Sequence, residues 1–346
     1  MSDISIRQIG HAGRITLQRP EALNAITADM CSAIERALLT WRDKNDIELV
    51  IIDAQGDRAF CSGGDISELY KTGRQGDYAY GQAFWAAEYR LNALIYHYPK
   101  PYIAFMQGFT MGGGVGISCH GSHRIVGETS QIAMPECGIG LIPDVGGSYI
   151  LACAPGYLGE YLGLTAARMA AADAIYAGFA DHFIPLSHWK TLIESLEKTG
   201  NTVHIANAAQ PAPSSELKAL QTQIDRYFSN ETLAGLISSL TTSDDEFSQK
   251  SLKMVSRNAP LSMASTILLL RQLREEGLDI LRALQYEYRF TARSMEIGDF
   301  LEGVRAAIID KDRNPHWQYN LTEVPQKASQ SMLAPLGALE LNVKES

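Results

Sequence analysis

Two acidic side chains stand out by the company they keep. In Met134-Pro135-Glu136-Cys137-Gly138-Ile139-Gly140-Leu141-Ile142-Pro143-Asp144-Val145-Gly146-Gly147, Glu136 and Asp144 are the only charged residues. All their neighbours are apolar, Gly or Pro. Burial in such a setting raises a carboxyl pKa, which suits a nucleophile or a general acid or base. The plain structural alternative is helix capping, which Pro135-Glu136 and Asp144-Val145-Gly146 would do acceptably. From this segment alone, capping is the simpler reading.

Two glycine-rich turns precede it. Ala59-Phe60-Cys61-Ser62-Gly63-Gly64-Asp65-Ile66 follows an apolar run; its Gly pair lets backbone approach a ligand and leaves N–H groups unpaired, and Asp65 is placed to cap a following helix. Alternatively the glycines serve only the turn's dihedrals. In Gln107-Gly108-Phe109-Thr110-Met111-Gly112-Gly113-Gly114-Val115-Gly116, four of the five residues from 112 to 116 are Gly. Each costs a helix ~1 kcal/mol relative to Ala, so close approach to a bound group, or tight helix-on-sheet packing, has to compensate. The spacing matches neither a dinucleotide fingerprint nor a P-loop. A fourth segment, Glu88-Tyr89-Arg90-Leu91-Asn92, carries an acid that reads locally as a solvated helix face.

These segments need a frame, and the first half of the chain alternates strand and helix. Ile15-Thr16-Leu17 reads as a strand, Thr27 as the N-cap of a helix to about Lys44, and Leu49 to Ile52 as a strand buried on both faces. A helix over Ala83 to Tyr96 leads to the strand Pro101 to Met106. A helix over Gly112 to Cys119 leads to the strand Arg124 to Val126. Such repeats imply mostly parallel pairing through right-handed crossovers. Asn201 to Ser215, with Pro211 and Pro213, reads as a linker. Helical patterns follow over Glu216–Tyr227, Glu231–Leu240, Asp244–Ser256, Pro260–Arg274 and Ile280–Arg293, then a polar–apolar stretch Asp299–Ile309 and an irregular tail after Pro315. The expected organisation is an α/β core over residues 1–200 and a helical region over 201–346 that covers or flanks the active site.

Composition narrows the function. A net charge of −9 argues against nucleic-acid binding, which needs a basic face. It does not argue against a small phosphate-bearing ligand. Five cysteines, an odd number without regular spacing, fit reduced thiols rather than a disulfide framework. With no signal-like N-terminus, no bilayer-length apolar stretch and no peroxisomal C-terminus, the expectation is a cytoplasmic protein without a membrane anchor. No metal is expected: the eight histidines show no ligand pairing, and Cys119-His120-Gly121-Ser122-His123 reads as a solvated turn. Cys61 and Cys137 read as packing residues, and Lys100 as a solvated lysine or a contact to a phosphate.

Taken together and in this order, the four segments resemble the crotonase (enoyl-CoA hydratase/isomerase) superfamily. The likeness runs from Ile15 to about Pro185. It implies a spiral of ββα repeats that binds an acyl-CoA, with Gly64 and Gly113 supplying an oxyanion hole for the thioester carbonyl. Hydratases of the family use two glutamates; the first falls here on Gly116 and the second on Glu136. Where hydratases typically carry Gly, this chain has Asp144. Loss of one carboxylate and gain of the other is similar to the 3-hydroxyisobutyryl-CoA hydrolase branch, whose catalytic pair corresponds to Glu136 and Asp144 and whose substrate-contacting glutamate corresponds to Glu88. Ala259-Pro260-Leu261-Ser262, Glu287-Tyr288-Arg289, Asp299-Phe300-Leu301-Glu302-Gly303 and Asn314-Pro315-His316-Trp317 resemble the same branch. The resemblance implies thioester hydrolysis with Glu136 as nucleophile or general base, Asp144 on the substrate's 3-hydroxyl and Glu88 in the acyl pocket. Coenzyme A is then part of the substrate, no separate cofactor is needed, and self-association into a homo-oligomer stays open. An enoyl-CoA hydratase, a hydrolase of another short 3-hydroxyacyl-CoA and a non-catalytic CoA-thioester binder are the rival readings.

Overall fold

The computed structural model describes residues 3–343. Among them, nine strands form in chain order: β1 (Ile4–Ile9), β2 (Ala12–Leu17), β3 (Leu49–Ala54), β4 (Ala59–Cys61), β5 (Tyr102–Met106), β6 (Phe109–Met111), β7 (His123–Val126), β8 (Gln131–Ala133) and β9 (His182–Phe183). Six make one sheet in the order β1-β2-β3-β5-β7-β9, and three make a second in the order β4-β6-β8. Only β1 and β2 pair antiparallel; the other pairings are parallel. The strand pairs β3/β4, β5/β6 and β7/β8 each lay one strand in each sheet before the chain returns through helix, the spiral of ββα repeats.

The centre of the larger sheet, β3 and β5, is buried on both faces, as the apolar run in β3 requires. Val50 and Ile52 enter the main apolar cluster, while Leu49 and Ile51 join Trp189, Leu192 and Leu196 on the other side. The helix Ala28–Arg42 starts where Thr27 accepts from the Met30 N–H. The long helix starts at Tyr78, five residues before the apolar periodicity predicted, with Asp77 as its cap. Its first turns hold Gly81, where a β-carbon would lie 2.5 Å from Met295 Cε. Tertiary packing, not propensity, extends this helix. The strands of the small sheet span only three residues each, too few for any periodicity to register.

The 201–215 segment is not a free linker. It holds the short helix Val203–Ala208, whose Ile205 is buried against Trp189 and Leu192, and Gln210 donates to the Phe183 carbonyl. The five predicted C-terminal helices form over Glu216–Phe228, Leu233–Thr241, Glu246–Val255, Pro260–Glu276 and Ile280–Ile297. Ser215, Thr232, Asp245 and Asp279 cap four of them; Pro260 opens the other at a position where its missing N–H costs nothing. A helix over Phe300–Val304 runs into a π-turn at Arg305–Ile309. The tail after Pro315 is less irregular than expected: a helix over Gln326–Leu333 buries Met332 and Leu333. One apolar cluster contains Ile15, Tyr89, Leu284 and Leu341, so the helical region shares the core of the sheets.

Candidate active site

A cavity of about 600 Å³ opens where the two glycine turns meet the acidic segment. Gly64, Glu88, Gly113, Glu136 and Asp144 all line it. Residues far apart in sequence are thus brought to one place, and all five predicted positions are in it.

Each is set by local structure. Gly64 pairs with Ile26 in a parallel bridge, in which Ile26 N–H donates to Gly63 O and Asp65 N–H to Ile26 O. In that pattern the N–H of Gly64 points to the opposite side. Gly113 is the first residue of the helix Gly113–Ser118, whose opening N–H groups have no helical partner. Neither N–H finds an acceptor among the described residues. Glu136 opens a 3₁₀ turn (Glu136–Ile139) just after β8. The C-terminal region grips that turn: a β-carbon at Gly140 would lie 2.4 Å from the Asp299 backbone, and one at Gly303 2.3 Å from that of Ile139.

The glycine run is explained by what rests on it. A β-carbon at Gly112 would lie 2.8 Å from Glu136 Oε1, one at Gly113 2.7 Å from Glu88 Oε1, and one at Gly116 2.6 Å from Asn92 Nδ2. Polar side chains from two other elements thus pack directly on bare backbone, and this approach offsets the poor helix propensity.

The carboxyls are buried: Glu88 is 4% exposed, Glu136 5% and Asp144 5%. Burial, then the charge of Asp144, pushes Glu88 up to about 8. Burial lifts Asp144 to about 6, a rise limited by the hydrogen bond from Tyr89 Oη (2.7 Å). Burial, then repulsion from Asp144, holds Glu136 well above the ordinary glutamate range. One oxygen of Glu88 and one of Glu136 have no hydrogen-bond partner among the described residues. Asp144 therefore ionises before Glu88, and Glu136 holds its proton more tightly than an ordinary glutamate.

The sign of the stability effect follows. A carboxyl raised on folding binds protons more tightly in the native state, so stability falls as pH rises from its unfolded value to its folded one and levels off above that. The unliganded protein is expected to lose stability as pH rises from the ordinary carboxyl range, Asp144 contributing up to about pH 6 and Glu88 continuing the loss to about pH 8. Its Tm should fall by roughly 1–2 °C for each kcal/mol lost. Glu88→Gln should flatten the fall, as read by thermal melts across that window; an unchanged slope would mean that Glu88 is ionised throughout.

Some sequence expectations change. Glu88 is not on a solvated face, and neither Glu136 nor Asp144 caps a helix through its side chain. Asp65 does not cap the helix Ser67–Arg74; it pairs with Arg19 at 3.2 Å. His120 is not in a solvated turn. It is buried, desolvation pushes it down to about 4, and its Nε2 lies 2.7 Å from the Val145 carbonyl. A carbonyl only accepts, so Nε2 carries the proton. Lys100 donates to the Trp41 and Lys44 carbonyls and ties down a helix C-terminus. Cys61 and Cys137 are buried, and burial raises both thiols to about 12, so they are packing residues. Sequence reading missed Tyr89, Asn92 and Glu287. Asn92 lies four residues after Glu88 on the same helix face, a spacing that signals its place; the other two are revealed only by long-range contact.

The family model described as enoyl-CoA hydratase/isomerase matches residues 12–333. A curated relative from Danio rerio, "3-hydroxyisobutyryl-CoA hydrolase, mitochondrial", is 39% identical over 333 residues, covering 92% of this chain and 85% of the relative. One of the same name from Xenopus laevis is 38% identical, covering 98% and 90%. Among solved structures, an enoyl-CoA hydratase from Rhodobacter sphaeroides superposes with a TM-score of 0.95 at 51% identity, covering 99% of this chain and 100% of that one. A carnitinyl-CoA dehydratase from Mycobacterium thermoresistibile gives 0.94 at 34% identity, with both chains covered in full.

Proposed function

This chain belongs to the enoyl-CoA hydratase/isomerase family, and from that premise we infer that it hydrolyses 3-hydroxyisobutyryl-CoA to 3-hydroxyisobutyrate and free coenzyme A, a step of valine degradation. The observation that carries the reading is that Glu136 and Asp144 line one cavity with Gly64 and Gly113, whose backbone N–H groups find no acceptor among the described residues.

In this reading the thioester carbonyl oxygen sits against the N–H groups of Gly64 and Gly113, which stabilise the negative charge that develops on it. In the general-base route, ionised Glu136 takes a proton from water as the water oxygen bonds to the carbonyl carbon. Collapse of the tetrahedral adduct breaks the C–S bond, and the departing thiolate takes the proton back from Glu136. In the nucleophilic route, the Glu136 carboxylate itself expels the thiolate and water then hydrolyses the anhydride. Asp144, which ionises more readily than Glu88, accepts from the substrate's 3-hydroxyl, and Glu88 borders the acyl group. Five unpaired thiols support a reducing compartment such as the cytoplasm.

The name of the Rhodobacter sphaeroides structure favours a second reading, hydration of an enoyl-CoA. Gly116 opposes it. The hydratase glutamate expected there is absent, and the space beside Gly116 is filled by Asn92 and by Val145, whose Cβ would lie 2.8 Å from a β-carbon there.

The role of Asp144 is tested by Asp144→Asn with paired substrates, reading thiol release. Preference for 3-hydroxyisobutyryl-CoA over isobutyryl-CoA is expected to fall by about 10–10²-fold, the worth of one buried charged hydrogen bond. An unchanged preference would remove Asp144 from hydroxyl recognition.

A further inference from the structure

We propose that Glu287 and Thr291, on the helix Ile280–Ile297, are positioning residues that fix Asp144 by holding both its backbone turn and its side-chain partner. The role rests on the functional reading above, in which Asp144 meets the substrate.

The turn after Asp144 has an unusual backbone. Val145 has φ +54° and Gly146 φ +77°. A β-branched residue in the left-handed region is a conformational outlier, and such a conformation persists only where its surroundings impose it. Here they do. Glu287 is fully buried, and its carboxyl accepts from the Gly146 N–H (2.8 Å), the Ser148 N–H (3.1 Å) and the Ser148 hydroxyl. From the other side, His120 donates to the Val145 carbonyl. A β-carbon at Gly146 would lie 2.6 Å from the His120 ring, so the turn is closed between two buried side chains.

Thr291 stands one helical turn beyond Glu287, on the same face. Its Oγ1 lies 3.4 Å from the Tyr89 phenol oxygen, whose hydrogen is given to Asp144 Oδ2. Both residues are completely buried. One helix face thus reaches Asp144 twice, through its main chain and through Tyr89. Neither Glu287 nor Thr291 borders the cavity, so neither touches the substrate; their contacts lead to the Asp144 turn and to Tyr89, while the charge of Glu287 also raises Glu136.

The test is a double-mutant cycle on Asp144→Asn and Glu287→Gln, reading thiol release from 3-hydroxyisobutyryl-CoA and isobutyryl-CoA. Glu287→Gln keeps the shape but presents one acceptor oxygen where two N–H groups and a hydroxyl converge. It is expected to lower kcat on the hydroxyacyl substrate between about tenfold and 10²-fold, the cost of a small misplacement, with a smaller loss on isobutyryl-CoA. In the Asp144→Asn background the same change should cost little. Full multiplication of the two losses would make Glu287 merely structural and overturn the positioning role alone. An Asp144→Asn protein as active as its parent would overturn the functional reading and the positioning role with it. Should Glu287→Gln fail to fold, Thr291→Val carries the same cycle, with Thr291→Ser expected to restore activity; no loss in Thr291→Val would also overturn the proposal.

Discussion

Glu136→Gln is expected to lower turnover of 3-hydroxyisobutyryl-CoA by about 10²–10⁴-fold, the range for removing a positioned base. Glutamine keeps the volume of the side chain, and one oxygen of Glu136 already lacks a partner among the described residues, so the fold should hold and the loss be chemical. The pH profile adds a second reading of the same group. Burial and Asp144 hold Glu136 well above the ordinary range, and only its ionised form serves as base or nucleophile. Activity of the unaltered protein should therefore still be rising with pH above the ordinary glutamate range, and the residual activity of Glu136→Gln should lose that rise. A variant that keeps more than about a tenth of the parental rate would fall outside the range for a catalytic base.

Gly113→Ala is expected to cost about 10²–10³ in kcat, the worth of an oxyanion-hole donor. The added β-carbon would lie 2.7 Å from Glu88 Oε1, 3.1 Å from Ile26 Cγ2 and 3.3 Å from the Gly64 nitrogen. It therefore presses on both donors' surroundings and on the acyl pocket at once. Gly113 does not have a positive φ, so the helix itself accepts alanine and even gains ~1 kcal/mol from the exchange. A Tm that holds or rises while kcat collapses is the predicted signature, read by melts beside thiol-release kinetics. Retained activity would place the carbonyl somewhere other than the Gly64–Gly113 pair.

Much of the site is readable in the chain because its signals are local. The run from Gly112 to Gly116 demands a reason for so many poor helix formers, and the apolar setting of Glu136 and Asp144 foretells their desolvation. Thr27 and the run Leu49–Ile52 announce their elements in the same way. What stays hidden depends on distant contacts. Glu88 sits in mid-helix among ordinary neighbours, and only the bare backbone of Gly113 shows that it is inside. Asp65 has the composition of a cap but meets Arg19, 46 residues earlier in the chain. His120 looks solvated until Val145 turns its carbonyl inward. Three-residue strands leave no period to read, and Ile205 converts an apparent linker into a packed helix.

The most direct test of the central claim offers the purified protein 3-hydroxyisobutyryl-CoA and crotonyl-CoA separately. Free thiol is followed with a chromogenic reagent in both, and the conjugated-enoyl absorbance in the second. The account predicts rapid, stoichiometric thiol release from the hydroxyacyl thioester and a stable enoyl absorbance. Loss of the enoyl absorbance without thiol release from either substrate would identify a hydratase and contradict it.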